Sequence, residues 1–131
     1  MRAAGLSGMD NREIAEAFSG HRFADAYPHL AQNVRWVLVG AEVLQGPDAV
    51  REACDGTTAA LAGTTTEFLR SVTADGGDVV AVDVVGRYTA ADGTVSIVSS
   101  SDLYEFRDGA VATITSYTVE LDALPPTVRG G

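Results

Sequence analysis

The chain reads as an α+β domain in which N-terminal helices fill the concave face of a curved antiparallel sheet. Three observations predict this. Apolar residues recur at helical spacing mainly before Gly63, whereas β-rich runs dominate after it. Turn signals carrying glycine separate those runs, at Asp75-Gly76-Gly77-Asp78, Ala91-Asp92-Gly93 and Arg107-Asp108-Gly109. The runs themselves reach ten residues or more, and strands that long in a twisted sheet must bend.

Taken in order, Asp10-Asn11-Arg12-Glu13 is a capping box that opens a helix with Ile14, Ala17 and Phe18 on one face, ending near Ser19 with Gly20 as the stop. A second helix starts near His21, carries Phe23, Ala26, Tyr27 and Leu30, and is kinked or ended by Pro28. Val34 to Val39 is a short strand closing at Gly40, with Trp36 and Leu38 on one face. Gly46-Pro47-Asp48 opens a third helix, whose inward stripe is Val50, Cys54, Thr57 and Leu61. Four strands follow as an antiparallel meander: Thr64 to Thr73, Val79 to Ala90, Thr94 to Arg107 and Ala110 to Leu121. Pro125-Pro126 cannot continue the last of them.

A length of 131 residues suits one domain, with 10–121 as its ordered core and 1–8 and 124–131 expected to fray. Hydrophobic residues make up 46% of the chain, enough to fill a core without staples. The single cysteine, Cys54, rules out an internal disulfide, reads as a small buried hydrophobe and suits a cytoplasmic setting. The N-terminus does not read as a secretory leader and no run of eighteen apolar residues occurs in the sequence, so no membrane association is expected. Eighteen acids against nine bases give a net charge of −9, which repels phosphate backbones and argues against nucleic acid as a partner. No cluster of Cys, His and carboxylates has metal-ligand spacing, and no cofactor motif occurs. His21 and His29 read as a cap and an end residue of the second helix.

Several local phrases point further. Val34-Arg35-Trp36-Val37-Leu38-Val39-Gly40, Leu44-Gln45-Gly46-Pro47-Asp48-Ala49-Val50-Arg51, Asp102-Leu103-Tyr104-Glu105-Phe106-Arg107-Asp108-Gly109 and Ile114-Thr115-Ser116-Tyr117, in this element order, resemble the SnoaL-like branch of the nuclear transport factor 2-like superfamily. The resemblance spans about residues 10–121. It implies a cone-like barrel with a central pocket between sheet and helices, a small hydrophobic molecule as ligand, and a homodimer formed through the convex sheet face. It does not imply one activity, because this fold hosts isomerases, polyketide cyclases, epoxide hydrolases, dehydratases and proteins that only bind.

Within that frame Asp102 is the leading candidate. It stands mid-strand, where aspartate is disfavoured and costly to bury ionised, and it matches the aspartic acid that ketosteroid isomerases keep protonated as a hydrogen-bond donor, a worked case of a carboxyl held neutral by apolar surroundings. SnoaL-like cyclases use an acid near the end of the last strand, where this chain offers Glu120 and Asp122, with Glu120 the better placed. Phe18, Tyr27, Trp36, Leu38, Tyr104, Ile114 and Ser116 are the candidate ligand contacts, and Phe68 is read as core or pocket wall. Asp83 faces either side. The partners of Asp102 on the last strand depend on the turn: a three-residue bulged loop, the favoured reading, sets it opposite Ile114, whereas a two-residue turn sets it opposite Thr115.

The resemblance also has gaps. The isomerase base position falls on Val37 or Leu38, its helix-one tyrosine falls near Ile14 or Ala15, and Ser100 stands where an epoxide hydrolase would carry arginine. Two readings therefore remain: an isomerase- or cyclase-type enzyme using Asp102 and Glu120 on an apolar or polyketide-like molecule, and a non-catalytic ligand-binding or dimerisation module.

Overall fold

The structure is a computed structural model and describes residues 8–122. The fraying expected of 1–8 and 124–131 lies, Gly8 apart, outside the described residues. The elements are α1 (Asn11–Ser19), α2 (Phe23–Ala26), a 3-10 turn (Tyr27–His29), β1 (Leu30–Leu38), β2 (Glu42–Gln45), α3 (Pro47–Ala60), β3 (Thr65–Asp75), β4 (Val79–Thr89), β5 (Val95–Arg107) and β6 (Ala110–Leu121).

The capping box forms as its sequence dictates: Asp10 accepts from the Glu13 amide at 2.8 Å, and Glu13 accepts from the Asp10 amide at 3.0 Å. The second helix is shorter than its pattern suggests. Pro28 lacks a backbone donor, so regular α2 stops at Ala26 and the chain tightens into the 3-10 turn. The first strand accordingly starts four residues early, at Leu30.

Strand β2 is an element that the sequence reading lacks. Gly40, at φ +84°, turns the chain, and Glu42–Gln45 folds back onto β1 with Leu38 opposite Glu42. The sheet order is β2-β1-β6-β5-β4-β3, antiparallel throughout except for β1, which runs parallel to β6. It curves without closing, since β2 and β3 remain free edges. Bulges provide part of the bend: Leu69 is the extra residue between the pairs Phe68–Gly86 and Arg70–Val85, and Ala112 is the extra residue between Phe106–Val111 and Glu105–Thr113.

The second bulge corrects both expected registers. The tip is the two-residue turn, with Asp108 and Gly109 at φ +53° and +78° as a type I′ geometry needs, not the favoured three-residue loop. Ala112 then shifts the ladder by one more residue, so Asp102 faces Ser116, Ser100 faces Thr118 and Tyr104 faces Ile114.

The core lies between α1, α3 and the narrow end of the concave face, where Ile14, Val34, Val50, Cys54, Val80, Val82, Tyr104, Val111 and Ile114 are fully buried. Burial of each such side chain contributes roughly 1.5–3 kcal/mol. Helix α1 is fixed against the sheet at two points: Asn11 donates to the Gly77 carbonyl at 2.9 Å, and Thr73 donates to Glu16 at 2.6 Å. At the wide end the concave face is left unfilled, and the space there forms the site.

Candidate functional site

Alternation along β5 turns Ser96, Val98, Ser100, Asp102, Tyr104 and Phe106 inward, and along β6 it turns Ile114, Ser116, Thr118 and Glu120 the same way. Large side chains fill the narrow end. Small and hydroxylic ones leave a cavity of about 520 Å³ at the wide end, within the range of roughly 300–1,000 Å³ that small-molecule pockets occupy. Its closed end is Ser19, Asp102 and Ser116, all buried; Ala60, Thr118 and Glu120 form an exposed rim. One wall is apolar (Phe18, Phe23, Trp36, Leu38, Leu61 and Val84), and the β5–β6 wall carries the hydroxyls.

Asp102 is 9% exposed. Ser19, at the end of α1, donates to its Oδ2 at 2.7 Å, and the Ser19 oxygen lies 2.6 Å from the Tyr104 hydroxyl. With Ser19 donating to the carboxylate, Tyr104 must donate to Ser19, which gives a relay directed at Asp102. Ser116 faces Asp102 across the ladder and accepts from Trp36 Nε1 at 2.8 Å, so the same residue orients the indole wall and borders the carboxyl. Burial pushes the Asp102 carboxyl above the usual carboxylate range; hydrogen bonds from Ser116 and Ser19, the charge of His21 and the Tyr104 hydroxyl pull it partly back.

His21 completes the site, and the sequence reading assigned it only a capping role. Gly20 does not make the helix stop. The His21 amide donates to Phe18 O at 3.1 Å and the Arg22 amide to Ala17 O at 2.8 Å, a Schellman motif with His21 itself in the left-handed position at φ +64°, where glycine is usual. That conformation carries the imidazole into the cavity wall, where it stacks on Phe23 at 5.1 Å and Tyr88 at 6.1 Å and meets the edge of Phe68 at 5.3 Å. Burial lowers the His21 pKa, against an opposing pull from Asp102. Tyr88 leans over Gly86, where an added Cβ would stand 2.9 Å from its ring, and burial raises the phenol pKa. Glycine at 86 is thus what admits the Tyr88 ring to the cavity.

Of the sequence candidates, Asp102, Glu120, Phe18, Trp36, Leu38 and Ser116 line the cavity. Three do not. Tyr27 turns away, its hydroxyl donating to Asp55 at 2.6 Å with the Arg51 guanidinium over its ring, because the 3-10 turn points it at the outer face of α3. Tyr104 and Ile114 are fully buried beneath the closed end, facing each other across the ladder, and Tyr104 reaches the site through its hydroxyl, at Ser19 and Asp102. Glu120 stands four residues up the ladder from Ser116, about 13 Å along the strand at 3.3 Å per residue, so the two carboxyls do not converge on one atom. Asp83 pairs with Arg70 at 3.4 Å on the convex face. Phe68 is partly exposed and borders a second cavity of about 340 Å³. Cys54 is buried beneath α3, with its thiol pushed up to about 12 by burial and Asp55, which leaves it without thiolate character at neutral pH. His29 ends the 3-10 turn, its Nε2 buried without a partner.

The fold and the pocket define a nuclear transport factor 2-like cone. The profile of the SnoaL-like domain matches residues 11–114, and the chain belongs to that family. Among solved structures, a nuclear transport factor 2-like protein of unknown function from Cytophaga hutchinsonii is similar at 25% identity, covering 81% of this chain and 93% of its own, with a TM-score of 0.69. A polyketide cyclase candidate from Pseudomonas putida follows at 14% identity, 84% and 92% coverage and a TM-score of 0.62. The third is an LEH-like epoxide hydrolase from M. tuberculosis, at 14% identity, 82% and 81% coverage and a TM-score of 0.61. No curated protein matches the chain significantly. Among the described residues no helix is long and apolar enough to cross a membrane.

Proposed function

We propose that the protein is an isomerase- or cyclase-type enzyme, in which a small, largely apolar, carbonyl-bearing molecule enters the cone and presents its oxygen to Asp102. The observation that carries this reading is a carboxyl at the closed end of an apolar cavity, shielded from water and held by a hydroxyl relay. A hydrogen bond made there to an oxygen that gains negative charge is strengthened by the low dielectric. Relatives named as a polyketide cyclase candidate and an epoxide hydrolase support pocket chemistry of this kind. Glu120, at the rim, contacts the outer part of the ligand. A cytoplasmic setting and a homodimer through the convex sheet face belong to the same reading.

Trp36, the only tryptophan, is a built-in reporter in the cavity wall. The bicyclic ketone 2-tetralone should quench its fluorescence saturably. Asp102→Asn should weaken that binding by about tenfold, the worth of a hydrogen bond to a charged or strongly polar group, and Val98→Phe, which fills the cavity, should abolish it. Undiminished binding to both variants would show that the cone is not the site. Binding without turnover of any enolisable ketone would leave a non-catalytic ligand carrier in its place.

A further inference from the structure

We propose that His21 is the proton acceptor of this pocket, taking a proton from an activated C–H beside a carbonyl whose oxygen is held by Asp102. The inference rests on the reading of the cone as a carbonyl-binding site and supplies the base that Val37 and Leu38 cannot provide.

Four observations converge on His21. The ring lines the cavity. Stacking on Phe23 and Tyr88, with Phe68 at its edge, restricts its rotation. Among the described residues no side chain or backbone group hydrogen-bonds a ring nitrogen, although the other polar groups beside Asp102, Ser19 and Ser116, are engaged. Lastly, the residue occupies a left-handed backbone conformation that costs a non-glycine residue on the order of 1 kcal/mol. A purely structural stop would place glycine there, and glycine is available one residue earlier, at 20. Strain retained at a cavity wall, on a residue whose ring nitrogens are unpartnered, points to use of the ring.

The step balances within the pocket. The neutral imidazole takes the α proton and becomes imidazolium. The C–H electron pair forms the C=C bond of the enol as the carbonyl π pair moves to oxygen, and that oxygen receives the Asp102 carboxyl proton. Imidazolium and carboxylate then attract across the cavity, which favours the transfer. Burial prepares both starting forms, since it lowers the pKa of His21 and raises that of Asp102. The other ionisable groups facing the imidazole are Tyr88 on β4 and, at the rim, Glu120 on β6, with Arg22 adjacent in the chain.

The test is deuterium incorporation at the activated carbon of 2-tetralone in D₂O, followed by proton NMR with the full-length protein. Wild type should accelerate exchange above buffer, and the rate should fall at low pH as His21 titrates. His21→Asn, which tolerates the left-handed backbone, should lose about a hundredfold or fall to the buffer rate while binding 2-tetralone within about threefold of wild type. Independently of any ligand, the His21 ring resonances should report a neutral imidazole at neutral pH, as burial of the ring favours. Exchange that persists in a folded His21→Asn, or a His21 ring that is imidazolium at neutral pH, would overturn the assignment. If wild type binds 2-tetralone but gives no exchange above buffer, His21 is not a base and the binding reading survives. If wild type does not bind the ketone at all, the carbonyl-site reading fails and this assignment fails with it.

Discussion

At the residue scale, the site turns on one carboxyl kept in a place that disfavours its charge. Asp102 shares its strand face with Tyr104 and Phe106, so alternation alone predicts that it points inward. Its partners were not legible. Ser19 lies 83 residues away in sequence, and Ser116 reaches the facing position only because Ala112 is looped out, a backbone event with no glycine or proline to announce it. The position has a consequence for stability. A carboxyl whose folded pKa is raised contributes stability that is complete below its unfolded value, near 3.8, and lost as pH rises through the folded value. Asp102→Asn should therefore be more stable than wild type at pH 8 in urea melts. The advantage should shrink as pH falls through the folded pKa of Asp102. His21 has the opposite sign: its lowered folded pKa contributes stability above about 6.5 that is lost as pH falls, so the comparison is made between Asp102 variants with His21 unchanged.

At the element scale, sequence pattern located α1, α3 and β3 to β6 within a residue or two, because capping, helical spacing and glycine turns act locally. It failed where tertiary context decides. Strand β2 is four residues long and exists by pairing with β1, and the second helix loses its last turn to Pro28. The end of α1 is the consequential case, since Gly20 drew the reading to itself while the left-handed residue is His21. That placement can be checked directly. His21→Gly and His21→Ala both remove the imidazole and its ring contacts, so their difference isolates the backbone. The glycine variant should be the more stable of the two by about 1 kcal/mol in urea unfolding. Equal stabilities would mean that residue 21 does not hold the left-handed conformation.

At the scale of the whole molecule, the two faces of the sheet have different characters. The concave face is divided between core and cavity. The convex face exposes Leu103 on β5 and Tyr117 and Val119 on the adjacent β6, with Val43 on β2 beyond β1, more apolar surface than single scattered residues would explain. A homodimer through this face, inferred from family resemblance in the sequence, would cover it with an identical copy. Sedimentation should then give twice the chain mass. The double change Tyr117→Asp and Val119→Asp should give a monomer that still binds 2-tetralone, since neither side chain lines the cavity. A monomeric wild type at high concentration would rule the dimer out. The fold, then, was readable from pattern and resemblance together, whereas the second half of the site depended on a strained backbone that no local pattern encodes.

The central claim is that Asp102 is a buried, ligand-facing carboxyl. It is tested most directly by carbon-13 NMR of the aspartate side-chain carboxyls, with Asp102 assigned by its loss in Asp102→Asn, across a pH titration with and without 2-tetralone. The account predicts a carboxyl that titrates above the normal aspartate range and changes shift when the ketone binds. A carboxyl that titrates near 3.8 like a surface aspartate and ignores the ketone would contradict it.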